Sequence, residues 1–252
     1  MVTRKSRREI EKMRVAGRIV AEVLALVESE LKPGVTTGHL DRLAERHIRA
    51  SGAVPSFKGY GHRSNPFPGS LCISIDDEVV HGIPGDRAIR SGQIVSIDAG
   101  AIYDGWHGDG ARTFVVGDAR PEIGQLIDTT RLAMMAGIAA AVPDANLGDI
   151  SGAIEDAAAP GRYGIVKQFV GHGIGTEMHQ EPQVPNYRTG VRGMKLAPGI
   201  CLAIEPMLTL GSGEVAVRPD GWTVATVDGS LAAHFEHTIA VTDNGPEILT
   251  TV

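Results

Sequence analysis

The sequence predicts an α+β chain in which two copies of one helix-helix-strand unit pack around a central antiparallel sheet. Three observations predict it: long amphipathic helical segments precede short β-branched runs, this pattern restarts near position 118, and matched segments recur in the same order in both halves. With 252 residues, 42% hydrophobic and 21% charged, the composition is that of a globular protein. A single domain over 1–252 is expected, with pseudo-symmetric halves at about 5–118 and 119–249.

The first helix opens on a capping box of Ser6 and Glu9. Ile10, Met13, Gly17, Val20, Leu24, Val27 and Leu31 follow at steps of three and four, which puts them on one helical face. Pro33-Gly34 ends it. Thr37 is placed to cap a second helix carrying Leu40, Ala44 and Ile48, closed at Ser51-Gly52. Strands are expected in "LCISI", "EVVHGI", "QIVSIDAG" and "ARTFVVG". Asp118 and Pro121 then open a third helix through Ile123, Ile127, Met134 and Ile138, with Pro in the first turn. "PDANLGDI" starts a shorter helix ending by Pro160-Gly161, and strands return in "IVKQFVGHGI", "GICLAIEP", "GWTVATV" and "EHTIAVTD". The halves match in detail: Pro33 to Gly38 parallels Pro143 to Gly148, "VHGIP" around His81 echoes "GHGIG" around His172, and "GQIVSID" parallels "GICLAIE".

The charge balance, 24 basic and 30 acidic residues for a net −6, argues against a DNA groove. No apolar stretch reaches membrane-span length and no signal-peptide core is present, so no membrane association is expected. Cys72 and Cys201 lie in apolar strand contexts and read as small buried hydrophobes, which suits a reducing cytoplasm. The one basic concentration, "TRKSRREIEKMR", reads as a solvated helix face or as an anionic docking surface.

The chemistry centres on acids at apolar strands. Asp98 lies in "IVSIDAG", and Asp109 follows a hairpin signal at Asp104-Gly105. That turn would set Asp98 opposite Ala111 and Asp109 opposite Gly100, all on one face, with the two acids as diagonal neighbours about 7–8 Å apart or less. Carboxylates so placed would repel without a cation. Glu205 in "AIEPM" and Glu236 in "HFEHTIAV" supply two more acids from the repeat. Two divalent ions, sharing carboxylates and an activated water, would satisfy such a set. Oxygen ligands with one or two imidazoles favour Mn, Fe(II), Co or Zn. His81, His172 and His179 are the candidate imidazoles, with His172 the preferred nitrogen ligand. "GHGIGTEMH" lacks the strand-GxGxxG-helix context of a phosphate loop, no GxSxG occurs, and the cysteines lack metal-finger spacing. Hydrolysis at a two-metal site is the simplest reading.

With these residues collected, the chain resembles type I methionine aminopeptidases over about Ser6 to Leu249. The matching stretches are "DDEVVHGIP", "IVSIDAGAIYDGWHGD", "GHGIGTEMHQEPQVPNY", "CLAIEPML", "DGWTVATVDGSLAAHFEHTIAVTDNG" and "EILT". The resemblance implies a pita-bread fold and hydrolytic removal of N-terminal methionine from nascent chains, with a small second residue preferred. It implies that Asp98 chelates one ion, His172 and Glu205 the other, and that Asp109 and Glu236 bridge. Glu205 would also shuttle a proton with the attacking water, while His81 and His179 would hydrogen-bond the scissile peptide. Tyr60, Cys72, Met178 and Trp222 would line the methionine pocket; position 178 carries Met where the family usually has Phe. The chain lacks the N-terminal zinc-finger extension and the large second-half insertion of other members, so a compact bacterial-type enzyme is expected, and nothing in the sequence demands more than a monomer. The basic N-terminal helix is then a candidate for ribosome contact. The rival readings are an X-Pro aminopeptidase or prolidase, which resemble it with a large extra N-terminal domain, and a non-catalytic binding module on the same fold.

Overall fold

A computed structural model describes residues 2–118 and 120–252; Met1 and residue 119, at the expected boundary between halves, lie outside the described residues. The first half contains α1 (Arg7–Glu30), α2 (Thr37–Ala50), β1 (Val54–Pro55), β2 (Leu71–Ile75), β3 (Glu78–Val80), β4 (Ile94–Tyr103) and β5 (Trp106–Val115). The second opens with α3 (Pro121–Ala140) and α4 (Leu147–Ala158), then β6 (Gly164–Ile165), β7 (Gly171–Gly173), β8 (Gln180–Val184) and β9 (Cys201–Ile204). It continues through β10 (Met207–Thr209), β11 (Val215–Val217), β12 (Val224–Thr226), β13 (Ala232–His234), β14 (Glu236–Thr242) and β15 (Gly245–Ile248).

The main sheet runs β1-β4-β5-β14-β9-β7-β8, with β2 also on β4 and β15 also on β14. Its pairings are antiparallel, and β5 joins β14 at the seam between the halves. Strand alternation gives each face a separate task. Val95, Ile97, Ala99 and Ala101 of β4 point to the α1–α2 layer and complete a buried apolar cluster with Val20, Leu24, Val27, Leu40 and Ile48. Leu202 and Ile204 of β9, with Ile239 and Val241 of β14, do the same for α3 and α4 through Met134, Ile138, Ile150 and Ile154. The helices therefore cover one face of the sheet. The opposite face is left to the polar residues at the alternate positions.

The repeat is real at the level of hydrogen bonds. Thr37 N–H donates to Arg87 O (3.0 Å) as Leu147 N–H donates to Met194 O (2.9 Å), and Ile89 N–H to Val35 O (2.8 Å) as Leu196 N–H to Ala145 O (2.8 Å). Two expectations need correction. The cap of α2 is Thr36, whose hydroxyl accepts from His39 N–H at 3.2 Å, while the Thr37 hydroxyl turns away to donate to Gly85 O. His81 is not the repeat partner of His172. Ser96 and Ala203, each four residues past their matched glycines, face Ser74 and His172 respectively, so Ser74 holds the equivalent position. His81 instead leaves β3 in the left-handed region, φ 60°.

The capping box of α1 is present as expected. Of its basic flank, Lys5 is buried and bonds Gln180 through Nζ, and Arg4 donates from Nε to Pro198 O. Arg7 and Arg8 remain exposed. No described helix is long and apolar enough to cross a membrane.

Candidate active site

The hairpin forms in the register read from its turn: Asp98 pairs with Ala111 and Asp109 with Gly100, without a bulge. Asp104 and Gly105 at its tip both take positive φ, 48° and 78°, as a tight two-residue turn requires. On the other side of β5, Glu236 also pairs with Ala111. Asp98 and Glu236 thus flank one alanine, and Asp109 lies two residues along on the same face. His237 pairs with Ile204, so the next step brings Glu236 beside Glu205. His172 faces Ala203, two residues before Glu205. Five consecutive strands therefore deliver one ligand-type side chain each to one face: Asp98, Asp109, Glu236, Glu205 and His172, in spatial order.

Side-chain geometry follows. Ligand atoms of Asp109, His172 and Glu236 lie within 4.8 Å of one another, and His172 Nε2 is 3.4 Å from Glu205 Oε1. All five residues are buried. Asp98 Oδ1, Asp109 Oδ1 and Glu236 Oε1 have no hydrogen-bond partner. No Lys or Arg among the described residues lines the cavity above them. Burial is the main cause that raises the Asp98 carboxyl to about 7; it also raises the other three well above the usual carboxylate range, where repulsion from the neighbouring carboxylates adds to it. A chain that buries four such groups, three of them with an orphaned oxygen, is poised to receive cations. Two divalent ions would match the four negative charges, and the oxygen-rich donor set with one imidazole fits them.

Hydrogen bonds fix how these groups are presented. His172 Nδ1 donates to the Gly173 carbonyl at 3.0 Å, so its proton is on Nδ1 and the Nε2 lone pair faces the carboxylates. Burial lowers its pKa to about 3. The buried Thr238 hydroxyl accepts from Asp109 N–H (3.0 Å) and donates to Asp109 O (2.8 Å), clamping β5 to β14 at the ligand. Asn186 donates to the Glu205 carbonyl at 3.2 Å.

A cavity of about 380 Å³ opens beside this cluster. Phe57, Phe67, Cys72 and Met178 form a buried apolar cluster along it, with Trp222 packed against them, its ring edge-on to Phe67 at 5.3 Å. Cys72 pairs with Asp98 across β2–β4, which places the apolar cluster directly beside the acids. His81, its pKa lowered to about 4 by burial, stands edge-on to Phe169. The His179 ring is 4.3 Å from that of His172, and its Nδ1 shares a 2.7 Å hydrogen bond with the Tyr60 hydroxyl. The structure therefore brings every residue singled out from the sequence to one place. The sequence reading missed Phe57 and Phe67, which sit in an irregular segment without periodicity, and Thr238, Asn186 and His234, whose neighbours at the site are distant in sequence.

This geometry, oxygen ligands beside an apolar pocket on a duplicated α+β frame, is that of a metallopeptidase. The model of metallopeptidase family M24 matches residues 11–243, and the chain belongs to that family. It is 51% identical over 251 residues to a methionine aminopeptidase of Clostridium acetobutylicum, covering 99% of each chain. Its fold matches the crystal structure of the methionine aminopeptidase of Thermotoga maritima, the expected pita-bread arrangement, with a TM-score of 0.96 at 41% identity over 100% of both chains. Prolidase from Pyrococcus horikoshii shares the fold at 24% identity and a TM-score of 0.78, with 63% of that longer chain covered.

Proposed function

We propose that this chain is a cytoplasmic enzyme that hydrolyses the N-terminal methionine from nascent proteins and peptides, preferring a small second residue. The observation that carries it is the single face on which five neighbouring strands converge their carboxylates and imidazole beside an apolar pocket. Full-length likeness to methionine aminopeptidases supports the same reading over the X-Pro peptidases, whose likeness is one of fold alone. We take 1–252 as one catalytic domain, because its ligand set draws on both halves.

Asp98 would hold one ion, His172 and Glu205 the other, with Asp109 and Glu236 shared between them; Mn, Co, Fe(II) and Zn all suit these donors. When bound, such ions would polarise the attacking water and the scissile carbonyl. Glu205 would take the water's proton and pass it to the leaving amine. The methionine side chain would fill the cluster of Phe57, Phe67, Cys72, Met178 and Trp222, where sulfur-aromatic contacts are favourable. With the Tyr60 hydroxyl donating to Nδ1, His179 carries its proton on Nε2 and can donate it toward the substrate. His81 would hold the peptide from the opposite wall. The peptide's free amine would bind at the metal centre with its side chain in the apolar cavity beside the ligands, which accounts for removal of the first residue only. Arg4, Arg7 and Arg8, the exposed part of the basic segment, are the candidates for ribosome contact, and the chain would act as a monomer.

The test is release of free methionine from a Met-Ala-Ser peptide by protein stripped with chelator and resupplied with each metal. Metal-dependent release without cleavage of an X-Pro peptide is the expected outcome. A folded protein that releases no methionine with any of the metals would overturn the assignment.

A further inference from the structure

One imidazole beside the carboxylates has no role so far. His234 is 1% exposed, and neither of its ring nitrogens has a hydrogen-bond partner. Its backbone is held firmly: the Thr113 hydroxyl accepts from its N–H at 2.9 Å and donates to its carbonyl at 2.7 Å, and it pairs with Met207 across β10–β13. The ring is thereby aimed at Glu205. Nε2 of His234 lies 3.8 Å from Glu205 Oε2, while Glu205 Oε1 lies 3.4 Å from His172 Nε2. The two oxygens of one carboxylate thus face two different imidazoles.

We propose that His234 is a positioning residue for Glu205: its imidazole donates Nε2–H to Oε2, leaving Oε1 to face the ion shared with His172. The inference rests on the reading of Glu205 as a metal ligand. The separation is about half an ångström beyond a hydrogen bond, a gap that a small torsional change of either side chain closes. His172 cannot do this work, because its Nδ1 proton is committed to Gly173 O and its Nε2 is bare. His234 therefore supplies the donor that the Glu205 carboxylate otherwise lacks. Outer partners that orient a ligating carboxylate typically change metal affinity 10–100-fold.

The experiment is calorimetric titration of chelator-stripped protein with Mn(II), comparing wild type, His234→Leu and His234→Gln, with circular dichroism as the check on folding. The leucine variant, which fills the space without donating, should bind about 10–100-fold more weakly. Glutamine, whose amide N–H reaches similarly far, should restore most of the affinity. Equal affinities in wild type and the leucine variant, or equal losses in both variants, would reduce His234 to packing and overturn the proposal. Wild type that binds no Mn(II) would instead remove the parent reading of the metal site. A second readout needs no variant: NMR of isotope-labelled histidine should show the His234 proton on Nε2, and a proton on Nδ1 would count against the proposal.

Discussion

In the first half Asp98 and Asp109 sit inside an unbroken ten-residue ladder, β4 against β5. In the second half, His172 sits at a register shift, Glu205 just past the end of β9, and Glu236 at the start of β14. The causes are local. A two-residue turn keeps β4 and β5 in step, whereas Pro206 has no N–H to continue the ladder beyond Glu205 and β10 joins a different sheet. The same two backbone hydrogen bonds recur at the helix-helix connection of each half, at 2.8–3.0 Å, so the duplication survives in the scaffold and is broken at the site. A regular ladder fixes two acids rigidly. Interrupted strands let the other half bring an imidazole and a third and fourth carboxylate from three different strands.

The most severe way to break this comparison is to remove a group shared between the halves. Glu236→Ala, and equally Asp109→Ala, should lower methionine release by about 1000-fold or more, the scale of losing a main stabiliser of the transition state. Circular dichroism should show the fold largely intact. An active variant would mean that the halves do not share their ions.

Proton linkage separates the metal-free chain from the loaded one. The four raised carboxyls bind protons in the folded state that the unfolded chain releases above about pH 4, so their stabilisation is present at low pH and lost as pH rises through the folded-state values. The depressed imidazoles, His172 and His234 at about 3, act the other way, but only below about pH 6.5, where the unfolded chain takes up protons. Above about pH 6.5 the carboxyls act alone. The stripped protein should then melt at progressively lower temperature as pH rises, and Mn-loaded protein should not. A stripped protein whose melting temperature climbs over that window would contradict the origin assigned to the shifts.

Close backbone approaches seat each half. A Cβ at Gly108 would come within 2.6 Å of Gly17 N on α1, and one at Gly171 within 2.4 Å of Ala203 O on β9. Gly108→Ala and Gly171→Ala should each cost about 1–3 kcal/mol in denaturant unfolding, since backbone must shift. Both should also weaken Mn(II) binding, because Gly108 neighbours Asp109 as Gly171 neighbours His172. Unchanged binding in either variant would mean that a backbone shift beside a ligand is not transmitted to it. The smallest effect is expected from Tyr60→Phe, which removes one hydrogen bond to His179 and should lower kcat/KM about two- to tenfold. An unchanged value would show that the tautomer of His179 is set elsewhere.

The same contrast explains what was legible. The register of Asp98 and Asp109 could be read because Asp104-Gly105 dictates the turn and alternation does the rest. The positions of Glu205 and Glu236 could be matched by repeat, but not their facing, since short strands carry too few residues to show alternation. "IVKQFVGHGI" read as one strand; the structure keeps only its two ends as strand, β6 and β7, with irregular chain between. The echo of "VHGIP" and "GHGIG" misled because identical local motifs sit on a left-handed loop in one half and on a strand in the other. Thr36 and Thr37 are adjacent hydroxyls, and which one caps depends on a loop carbonyl, Gly85 O, that is distant in sequence. Lys5 counted as surface charge until Gln180 and the chain around Gly199 closed over it.

The most direct test is anomalous diffraction at the manganese edge from crystals of the stripped and reloaded protein. The account predicts two peaks, both at about 2.0–2.6 Å from oxygens of Asp109 and Glu236, one completed by Asp98 and the other by His172 and Glu205. A single peak at full loading, or peaks away from the β5–β14 seam, would contradict it.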